Sequence, residues 1–212
     1  MRLSGKESDW KYAEEFVVES DEILQARTDA NELGIDSISP GVGAQLGLLA
    51  SATVATNIIE VGTGAGVSGL WLLTGAPQAT LTTIDIEADF QQHAKRSFVS
   101  AGVNQNKIRL ITGRALEVLP RMNEDSYDLV FIDADPISVI EYVEHGLRLV
   151  RNGGVVAVAH ALWRGHVANP AYRDEVVTSF RNLLHEISAS SAVMSSLVPV
   201  GDGLLLLSRN ES

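Results

Sequence analysis

Residues 57–73 have the sequence NIIEVGTGAGVSGLWLL, which is the most informative stretch of the chain. An apolar run of strand type ends at Val61, glycines then alternate from Gly62 to Gly66, and an apolar run of helix type follows. A strand, a glycine-rich turn and a helix in this order form the nucleotide-binding βα unit of doubly wound α/β proteins. The glycines let the backbone turn sharply and approach a ligand without an intervening Cβ atom.

An acidic residue follows the next strand at an informative distance. The predicted strand over residues 80–84 ends in Asp85, which lies 19 residues after Gly66. In βα units of this kind, an acidic side chain at about this spacing holds the ribose hydroxyls of a nucleotide. The sequence therefore predicts a nucleoside-containing ligand, and a tight turn without a ligand is the alternative.

The glycine pattern itself fits two classes of ligand. Residues 64–69 satisfy the G-x-G-x-x-G pattern of dinucleotide-binding folds. Glu60 and the glycines at 62, 64 and 66 equally satisfy the E/D-x-G-x-G-x-G pattern of class I methyltransferases. Because a short glycine pattern identifies neither ligand by itself, both interpretations stay open at this point.

The composition is that of an ordinary globular protein with a negative charge. The 212 residues are 45% hydrophobic and 20% charged, with a formal net charge of −11 and no cysteine. The negative charge disfavours nucleic acid and anionic membranes as partners. The lack of cysteine excludes disulfides, thiol nucleophiles and zinc–thiolate sites. No apolar run is long enough to span a bilayer, and residues 1–8 lack the apolar core of a signal peptide, so we expect a cytoplasmic protein.

The order of the predicted elements indicates a parallel sheet with helices on both faces. An acidic helix is predicted over Asp9 to Glu32, and a short helix over residues 41–50. The apolar face of the first helix is expected to contain Ala13, Phe16, Val17, Ser20 and Leu24. The predicted strands cover residues 57–61, 80–84, 108–112, 129–132 and 155–159. The predicted helices between them cover residues 67–73, 87–101, 115–119 and 137–150.

The end of the chain has a different pattern. A helix predicted over residues 172–187 precedes two apolar runs, 192–199 and 204–208, that a Gly-Asp-Gly turn joins. Two such runs around a short glycine-containing link are typical of a β-hairpin. A parallel sheet that closes with an antiparallel hairpin is not the usual ending of a dinucleotide-dependent dehydrogenase domain.

Eight sequence blocks occur in a recognisable order. They are residues 39–43 (SPGVG), 60–68 (EVGTGAGVS), 81–85 (LTTID), 115–120 (ALEVLP), 127–135 (YDLVFIDAD), 147–154 (LRLVRNGG), 162–167 (LWRGHV) and 199–204 (PVGDGL). In these blocks the chain resembles the class I S-adenosylmethionine-dependent O-methyltransferases. The branch is that of the catechol and caffeoyl-CoA O-methyltransferases and their small bacterial relatives. The resemblance covers residues 38–207, which is most of the chain.

The resemblance implies a site for S-adenosylmethionine. The glycine loop would approach the methionine half of the cofactor, Glu60 would help to hold its ammonium group, and Ser68 could hydrogen-bond its carboxylate. Asp85 would accept the ribose hydroxyls, for which a carboxylate is a bidentate acceptor, and residues 113–115 would border the adenine. The predicted cofactor-binding residues are Glu60, Gly62, Thr63, Gly64, Gly66, Ser68, Asp85, Ile86, Gly113, Arg114, Ala115 and Asp133.

The resemblance also implies a divalent metal, and here the chain departs from the family. The family's ligands are the first Asp of an Asp-x-Asp segment and an Asp-Asn pair after the next strand, with a Lys base three residues after the first Asp. Asp133 is present, but Ala159 and His160 replace the pair, and Pro136 replaces the lysine. Arg114 also replaces an acidic residue on the adenine side. We therefore expect no metal site, with Asp133 and His160 as the remaining candidate ligands.

Three hypotheses follow from these replacements. In the first, the enzyme works without a metal, and the catalytic residues are His160 as general base and Asp133, since histidine titrates near neutral pH. In the second, Asp133 and His160, with Asp135 or His166, bind a softer metal such as Mn²⁺, Fe²⁺ or Zn²⁺. In the third, the domain binds the cofactor without turnover. The first hypothesis is preferred.

The sequence thus predicts one methyltransferase domain over residues 1–212, with an N-terminal helical segment over about 1–50 and a cofactor-binding core over 51–212. The expected fold class is α/β: a Rossmann-like fold whose seven-stranded, mostly parallel sheet ends in an antiparallel hairpin. The expected activity is direct methyl transfer to a hydroxyl group of a small molecule. The expected protein is a homodimer that binds neither nucleic acid nor membrane. An NAD-dependent oxidoreductase and a non-catalytic cofactor-binding module are the alternatives.

Overall fold

A seven-stranded β-sheet forms the centre of the molecule. The computed structural model describes residues 5–209, so residues 1–4 of the predicted N-terminal segment and residues 210–212 lie outside the described part. The strands are β1 (Asn57–Val61), β2 (Thr80–Asp85), β3 (Ile108–Thr112), β4 (Tyr127–Ile132), β5 (Val150–Val158), β6 (Val193–Val198) and β7 (Leu204–Arg209). Their order across the sheet is β3-β2-β1-β4-β5-β7-β6.

Five strands run parallel, and the last two form an antiparallel hairpin. Strand β1 pairs in parallel with β2 and β4, and β3 and β5 extend the sheet on the two sides. Strand β7 runs antiparallel to both β5 and β6. These pairings confirm the predicted mostly parallel sheet and its C-terminal hairpin. Ile58 and Ile59 face opposite sides of β1 and are both fully buried, because helices cover both faces.

Eight α-helices accompany the sheet within residues 5–209. They are α1 (Gly5–Glu15), α2 (Asp21–Glu32), α3 (Pro40–Ala52), α4 (Val67–Gly75), α5 (Ala88–Ser100), α6 (Ala115–Val118), α7 (Val139–Leu149) and α8 (Glu175–Ala189). One apolar core lies between the sheet and the four helices α2, α3, α4 and α5, and it includes Leu46, Leu72 and Phe98. A second core joins α7 and α8 to the sheet and includes Val143 and Phe180. Across the same residues, every helix falls short of the length and apolar character that a bilayer crossing requires.

The prediction of a single helix over Asp9 to Glu32 was wrong, because residues 16–20 are not helical and separate α1 from α2. Ser20 is the N-cap of α2, and its side chain accepts a hydrogen bond from Ile23 N at 3.4 Å. The apolar face predicted for the single helix is consequently not buried: Phe16 is 77% exposed and Leu24 is 48% exposed. The residues that α2 buries are instead Ile23, Ala26 and Ala30.

Two further helix boundaries differ from the prediction because of caps. The helix expected over residues 172–187 begins at Glu175, since the Asp174 side chain accepts a hydrogen bond from Val177 N at 3.0 Å. The helix expected over residues 137–150 divides into a 3-10 turn, Pro136–Ser138, and α7. The Asp135 side chain caps that turn and accepts a hydrogen bond from the Ser138 hydroxyl at 2.7 Å.

The strand order reverses next to β1, and this reversal locates the site. The chain extends the sheet from β1 through β2 to β3 on one side and then continues on the other side with β4 and β5. In open α/β sheets, ligands bind outside the carboxyl ends of the strands at such a switch point. The loops after β1, β2, β4 and β5 therefore form the expected site.

Helices α3 and α4 pack backbone against backbone beside this switch point. A Cβ atom on Gly75 would lie 1.9 Å from the Gly47 carbonyl oxygen, and a Cβ atom on Gly43 would lie 2.2 Å from Trp71 Nε1. Glycine at these positions lets the two helices approach closely. The close packing fixes α4, the helix that follows the glycine loop.

The Gly75→Ala substitution should lower the free energy of unfolding by about 2 kcal/mol, because the added methyl group must push α3 and α4 apart. Urea denaturation followed by circular dichroism measures this change. Gly5→Ala is the control, since a Cβ atom there would meet no atom within 4 Å. Equal stability of the two variants would contradict the close helix packing described above.

Candidate active site

A cavity of about 460 Å³ opens where the carboxyl ends of β1, β2 and β4 meet. Ten of the twelve predicted cofactor residues lie on its wall: Gly62, Thr63, Gly64, Ser68, Asp85, Ile86, Gly113, Arg114, Ala115 and Asp133. Glu60 and Gly66 lie outside the lining. A volume of this size suits a small organic ligand. The fold therefore brings together residues that are as far apart in sequence as Gly62 and Asp133.

The glycine loop after β1 depends on backbone conformations that favour glycine. Gly62, Gly64 and Gly66 have φ values of 95°, 51° and 94°, which lie in the left-handed region. A Cβ atom on Gly62 would lie 1.8 Å from the Asp133 carbonyl oxygen. A Cβ atom on Gly66 would lie 3.2 Å from the Cα atom of Ala94 on α5. Gly62 thus permits contact with the β4 end, while Gly66 permits contact with a neighbouring helix.

The Asp85 carboxylate holds the glycine loop in place. Its Oδ2 atom accepts hydrogen bonds from Thr63 N at 2.9 Å and from Gly64 N at 3.0 Å. Its Oδ1 atom accepts one hydrogen bond, from Glu87 N at 3.0 Å. Each carboxylate oxygen has two acceptor sites, so Oδ1 retains capacity for a ligand hydroxyl in the cavity. The sequence predicted a ligand contact for Asp85 and did not reveal its hydrogen bonds to the loop.

Glu60 lies beneath the loop, fully buried. Its two oxygens accept hydrogen bonds from the Ser68 hydroxyl at 2.7 Å and from the Thr83 hydroxyl at 2.6 Å. Burial raises the pKa of Glu60 from 4.5 to about 7, although the two hydroxyl donors lower it. Ser68 lies between Glu60 and the cavity, since it lines the cavity and Glu60 does not.

A buried polar network that the sequence did not reveal supports the loop from below. Thr63 Oγ1 lies 2.7 Å from Thr83 Oγ1 and donates to it, since the proton of Thr83 is directed at Glu60. The Gln91 side chain on α5 donates to the Ile111 carbonyl at 2.8 Å. Gln91 is also an acceptor for Thr112 Oγ1 at 2.6 Å. The only sequence signal was a set of polar residues at buried positions of strands and an amphipathic helix.

The predicted adenine side of the cavity is built by the loop after β3. Gly113 has a φ of 158°, and its N–H donates to the Asp85 carbonyl at 2.8 Å, which ties the two loops together. Arg114 and Ala115 follow on the cavity wall. The Arg114 side chain is largely exposed and lies 3.8 Å from the Glu117 carboxylate. Phe90 also lines the cavity and was not predicted.

A second group of titratable residues lies at the ends of β4 and β5. His160 Nε2 lies 3.4 Å from Asp133 Oδ1, and His160 Nδ1 lies 3.5 Å from Asp202 Oδ2. Asp133 lines both the main cavity and a smaller cavity of about 20 Å³ that His160 also lines. Burial raises the pKa of Asp133 to about 6, although the nearby His160 lowers it. The structure therefore brings the two predicted catalytic residues together and adds Asp202.

The loop after β5 has an unusual backbone. His160, Trp163 and Arg164 have φ values of 56°, 43° and 54°, which residues other than glycine rarely adopt. Such conformations concentrate at functional sites. The Trp163 ring stacks on Phe180 with the ring centroids 5.7 Å apart, and the His160 ring meets it edge-on at 6.4 Å. Trp163 is thus packed against α8 and also borders the smaller cavity.

The donor set does not fit the divalent metal that the resemblance implies. The two nitrogens of His160 face two different carboxylates, on opposite sides of the ring. Asp135 accepts a hydrogen bond from Ser138, and the His166 ring stacks on Tyr172 at 3.8 Å. Ala159 and Pro136 offer no side-chain donor. Across residues 5–209, no three His, Asp or Glu side chains form a group that could hold a metal ion.

The family of the chain follows from comparison with known proteins. A family model described as O-methyltransferase matches residues 12–210. The chain belongs to the O-methyltransferase family. The Mycobacterium tuberculosis protein named "Probable O-methyltransferase Rv1220c" is 45% identical to it over 208 residues, which are 98% of this chain and 93% of that protein.

Two solved structures of other proteins have the same fold. A crystal structure from Corynebacterium glutamicum has a TM-score of 0.90 and 30% identity, and the match covers 99% of both chains. The O-methyltransferase TomG from Streptomyces achromogenes, involved in tomaymycin synthesis and solved in complex with S-adenosylmethionine, has a TM-score of 0.86 and 28% identity. That match covers 99% of this chain and 100% of TomG. These matches confirm the Rossmann-like fold class.

The Glu60→Gln substitution should stabilise the ligand-free protein at pH 8.5 and have a smaller effect at pH 5. A carboxyl whose folded pKa is raised stabilises the fold below its unfolded pKa, and this contribution is lost as the pH rises through the folded pKa. For Glu60 the window is pH 4.5 to about 7. Glutamine stays neutral, so the gain at pH 8.5 should be about 3 kcal/mol larger than the gain at pH 5. Urea denaturation at both pH values measures it, and a pH-independent effect would contradict the raised pKa.

Proposed function

We propose that this O-methyltransferase transfers the methyl group of S-adenosylmethionine to a hydroxyl oxygen of a small molecule, without a divalent metal. The observation that carries the proposal is the position of Asp133. This half-buried carboxyl lines the main cavity at the glycine loop and also lies 3.4 Å from His160 Nε2. Asp133 therefore belongs to the wall of the proposed cofactor cavity and is also the neighbour of the candidate base, His160.

The charge of the cavity supports S-adenosylmethionine over NAD. S-adenosylmethionine carries a sulfonium and an ammonium cation. The carboxyls of Asp36, Asp85 and Asp133 line the cavity, and Glu60 lies just below it. The diphosphate of NAD would have to approach the glycine loop beside Asp85 and Asp133, where like charges repel it. The oxidoreductase alternative is therefore disfavoured.

Each part of the cofactor has a place in this arrangement. The methionine half would lie against the glycine loop, with its ammonium group near the Glu60–Ser68 pair. The ribose would lie at Asp85 Oδ1, and the adenine would lie between Ile86 and residues 113–115. Asp133 would then lie beside the methyl-donating end of the cofactor. It also borders the smaller cavity that His160 lines, so an acceptor hydroxyl between the two would be near His160.

The reaction itself is a direct displacement. The hydroxyl oxygen of the acceptor forms a bond to the methyl carbon while the carbon–sulfur bond breaks, and neutral S-adenosylhomocysteine leaves. The hydroxyl proton passes to His160 Nε2, the nitrogen that faces Asp133. The imidazolium that forms is stabilised by the nearby carboxylate, so the stabilisation is largest as charge develops. Alignment of the acceptor and the sulfonium supplies the rest of the rate enhancement.

The assembly and the location of the enzyme belong to the same proposal. We infer a homodimer that works in the cytoplasm. Trp10, Tyr12 and Phe16 expose 49%, 74% and 77% of their surface at the N-terminal helix α1 and just after it. Exposed apolar groups of this size favour burial against another surface. Light scattering after size-exclusion chromatography measures the mass, and a monomer at all concentrations would contradict the dimer.

Transfer of a radiolabelled methyl group from S-adenosylmethionine to a panel of phenols and catechols tests the proposed reaction. EDTA-treated enzyme should methylate at least one acceptor at the same rate before and after addition of Mg²⁺ or Mn²⁺. Activity that appears only with a metal would contradict the metal-free mechanism. No transfer to any acceptor, together with tight S-adenosylhomocysteine binding, would support the non-catalytic alternative.

The Asp85→Ala substitution should reduce S-adenosylhomocysteine affinity by at least about 100-fold, since it removes both the ribose acceptor and the hydrogen bonds that hold the loop. Isothermal titration calorimetry measures the affinity. Asp89→Ala is the matched control, because Asp89 lies in the exposed first turn of α5, outside the cavity lining. An unchanged affinity in the Asp85 variant would contradict the cofactor placement.

The His160→Asn substitution should lower kcat by about 10²- to 10⁴-fold, the usual contribution of a general base. Asparagine tolerates the left-handed backbone conformation of residue 160, so the loop should keep its structure. The affinity for S-adenosylhomocysteine should stay within about twofold of wild type, since His160 lies outside the main cavity lining. Steady-state kinetics and calorimetry separate the two effects, and an unchanged kcat would exclude His160 as the base.

A further inference from the structure

Asp202 is a residue that the sequence did not single out, and it lies beside the candidate base. It belongs to the turn between β6 and β7, far along the chain from His160. One carboxylate oxygen, Oδ2, lies 3.5 Å from His160 Nδ1. The other, Oδ1, accepts a hydrogen bond from the backbone N–H of Arg164. One carboxylate oxygen is therefore held by the loop, and the other faces the imidazole.

The turn that contains Asp202 is docked firmly on the loop of His160. Ala161 N donates to the Gly203 carbonyl at 2.9 Å, and Leu162 N donates to the Asp202 carbonyl at 3.0 Å. A Cβ atom on Gly203 would lie 2.5 Å from Leu162 Cγ, so no other residue fits there without displacing the loop. These contacts fix the position of the turn relative to the loop.

The same turn is tied to the N-terminal helix by Glu14. The Glu14 Oε1 atom accepts hydrogen bonds from Gly201 N at 2.8 Å and from the Ser39 hydroxyl at 3.0 Å. Its Oε2 atom accepts a hydrogen bond from Gly41 N at 2.8 Å. One carboxylate thus joins α1, the start of α3 and the turn of Asp202. The bond to Gly201 N restrains the turn at the residue next to Asp202.

We propose that Asp202 is a positioning residue for methyl transfer, which accepts the Nδ1 proton of His160 and so leaves Nε2 free to act as the base. This inference rests on the proposed function. A neutral imidazole carries one N–H, and the hydrogen bond at one nitrogen determines which nitrogen is the acceptor. The distance of 3.5 Å is longer than a hydrogen bond. Contacts of this kind often tighten when the substrate binds.

The two carboxylates on the ring have different tasks in this arrangement. Before the reaction, the N–H of Nδ1 is directed at the Asp202 carboxylate, and Nε2, which faces Asp133, carries no proton. After the hydroxyl proton of the acceptor moves to Nε2, the imidazolium has an N–H directed at each carboxylate. Asp133 is therefore the partner of the proton that arrives, and Asp202 is the partner of the proton that stays.

The Asp202→Asn substitution tests this division directly. Asparagine retains an oxygen that accepts the Arg164 N–H, and it places an NH₂ donor opposite Nδ1. Nδ1 must then become the acceptor, so the proton should move to Nε2. Two-dimensional ¹H–¹⁵N NMR of EDTA-treated, ¹⁵N-labelled protein at pH 7.5 reports which nitrogen is protonated, and the spectrum of His160→Asn identifies the signals of His160. The wild type should show the Nδ1–H tautomer, and the variant should show the Nε2–H tautomer.

The kinetic result should follow the tautomer. Asp202→Asn should lower kcat by about 10²- to 10⁴-fold for a phenol that the wild-type enzyme methylates. The affinity for S-adenosylhomocysteine should stay within about twofold of wild type. Asp202→Glu keeps a carboxylate and should retain the Nδ1–H tautomer. Asp125→Asn is the control, since Asp125 pairs with Arg209 outside both cavity linings. It should leave the His160 signals and kcat unchanged.

The outcomes separate this inference from the proposed function. An Nδ1–H tautomer that persists in Asp202→Asn would overturn the positioning role, and so would a wild-type enzyme with the Nε2–H tautomer. These NMR results need neither cofactor nor acceptor. Failure of the proposed function would appear instead as absent methyl transfer or absent S-adenosylhomocysteine binding in the wild type.

Discussion

The close approach of Gly62 to the Asp133 carbonyl oxygen is the constraint on which the rest of the site depends. A Cβ atom there would lie 1.8 Å from that oxygen, so only glycine lets the end of β1 lie against the end of β4. Asp133 N also donates to the Val61 carbonyl at 2.8 Å and continues the β1–β4 pairing to this point. The glycine loop and the Asp133 side chain are therefore placed by the same contact.

Negative charge is the second feature that the parts of the site share. The fold places Glu60, Asp85 and Asp133 around one cavity and keeps Glu60 fully buried and Asp133 half-buried. Burial of carboxyl groups is costly unless hydrogen bonds or cations compensate it. The raised pKa values of Glu60 and Asp133 show that compensation is incomplete in the ligand-free protein. A cationic cofactor would supply the missing charge, which favours S-adenosylmethionine over an anionic nucleotide such as NAD.

Much of the fold could be predicted from the sequence, because short apolar strands and a glycine loop are local signals. β1 and β3 match their predicted bounds, and the terminal hairpin was expected from two apolar runs around a glycine turn. The break at residues 16–20 was missed because the Ser20 cap fits the same helical spacing as the apolar residues around it. Ten of the twelve predicted cofactor residues line one cavity, because their motifs follow strands whose carboxyl ends meet there. Gln91 and Asp202 were not predicted, because their partners lie far away in sequence and only the folded sheet brings them together.

Calorimetric titration of the EDTA-treated protein with S-adenosylhomocysteine, and separately with NAD, tests which ligand the cavity binds and whether a metal is needed. We expect saturable binding of S-adenosylhomocysteine, with a dissociation constant on the order of micromolar that Mg²⁺ and Mn²⁺ leave unchanged, and no binding of NAD. Binding of NAD without binding of S-adenosylhomocysteine would contradict the assignment of the cavity. Binding of S-adenosylhomocysteine that requires a metal would contradict the metal-free site.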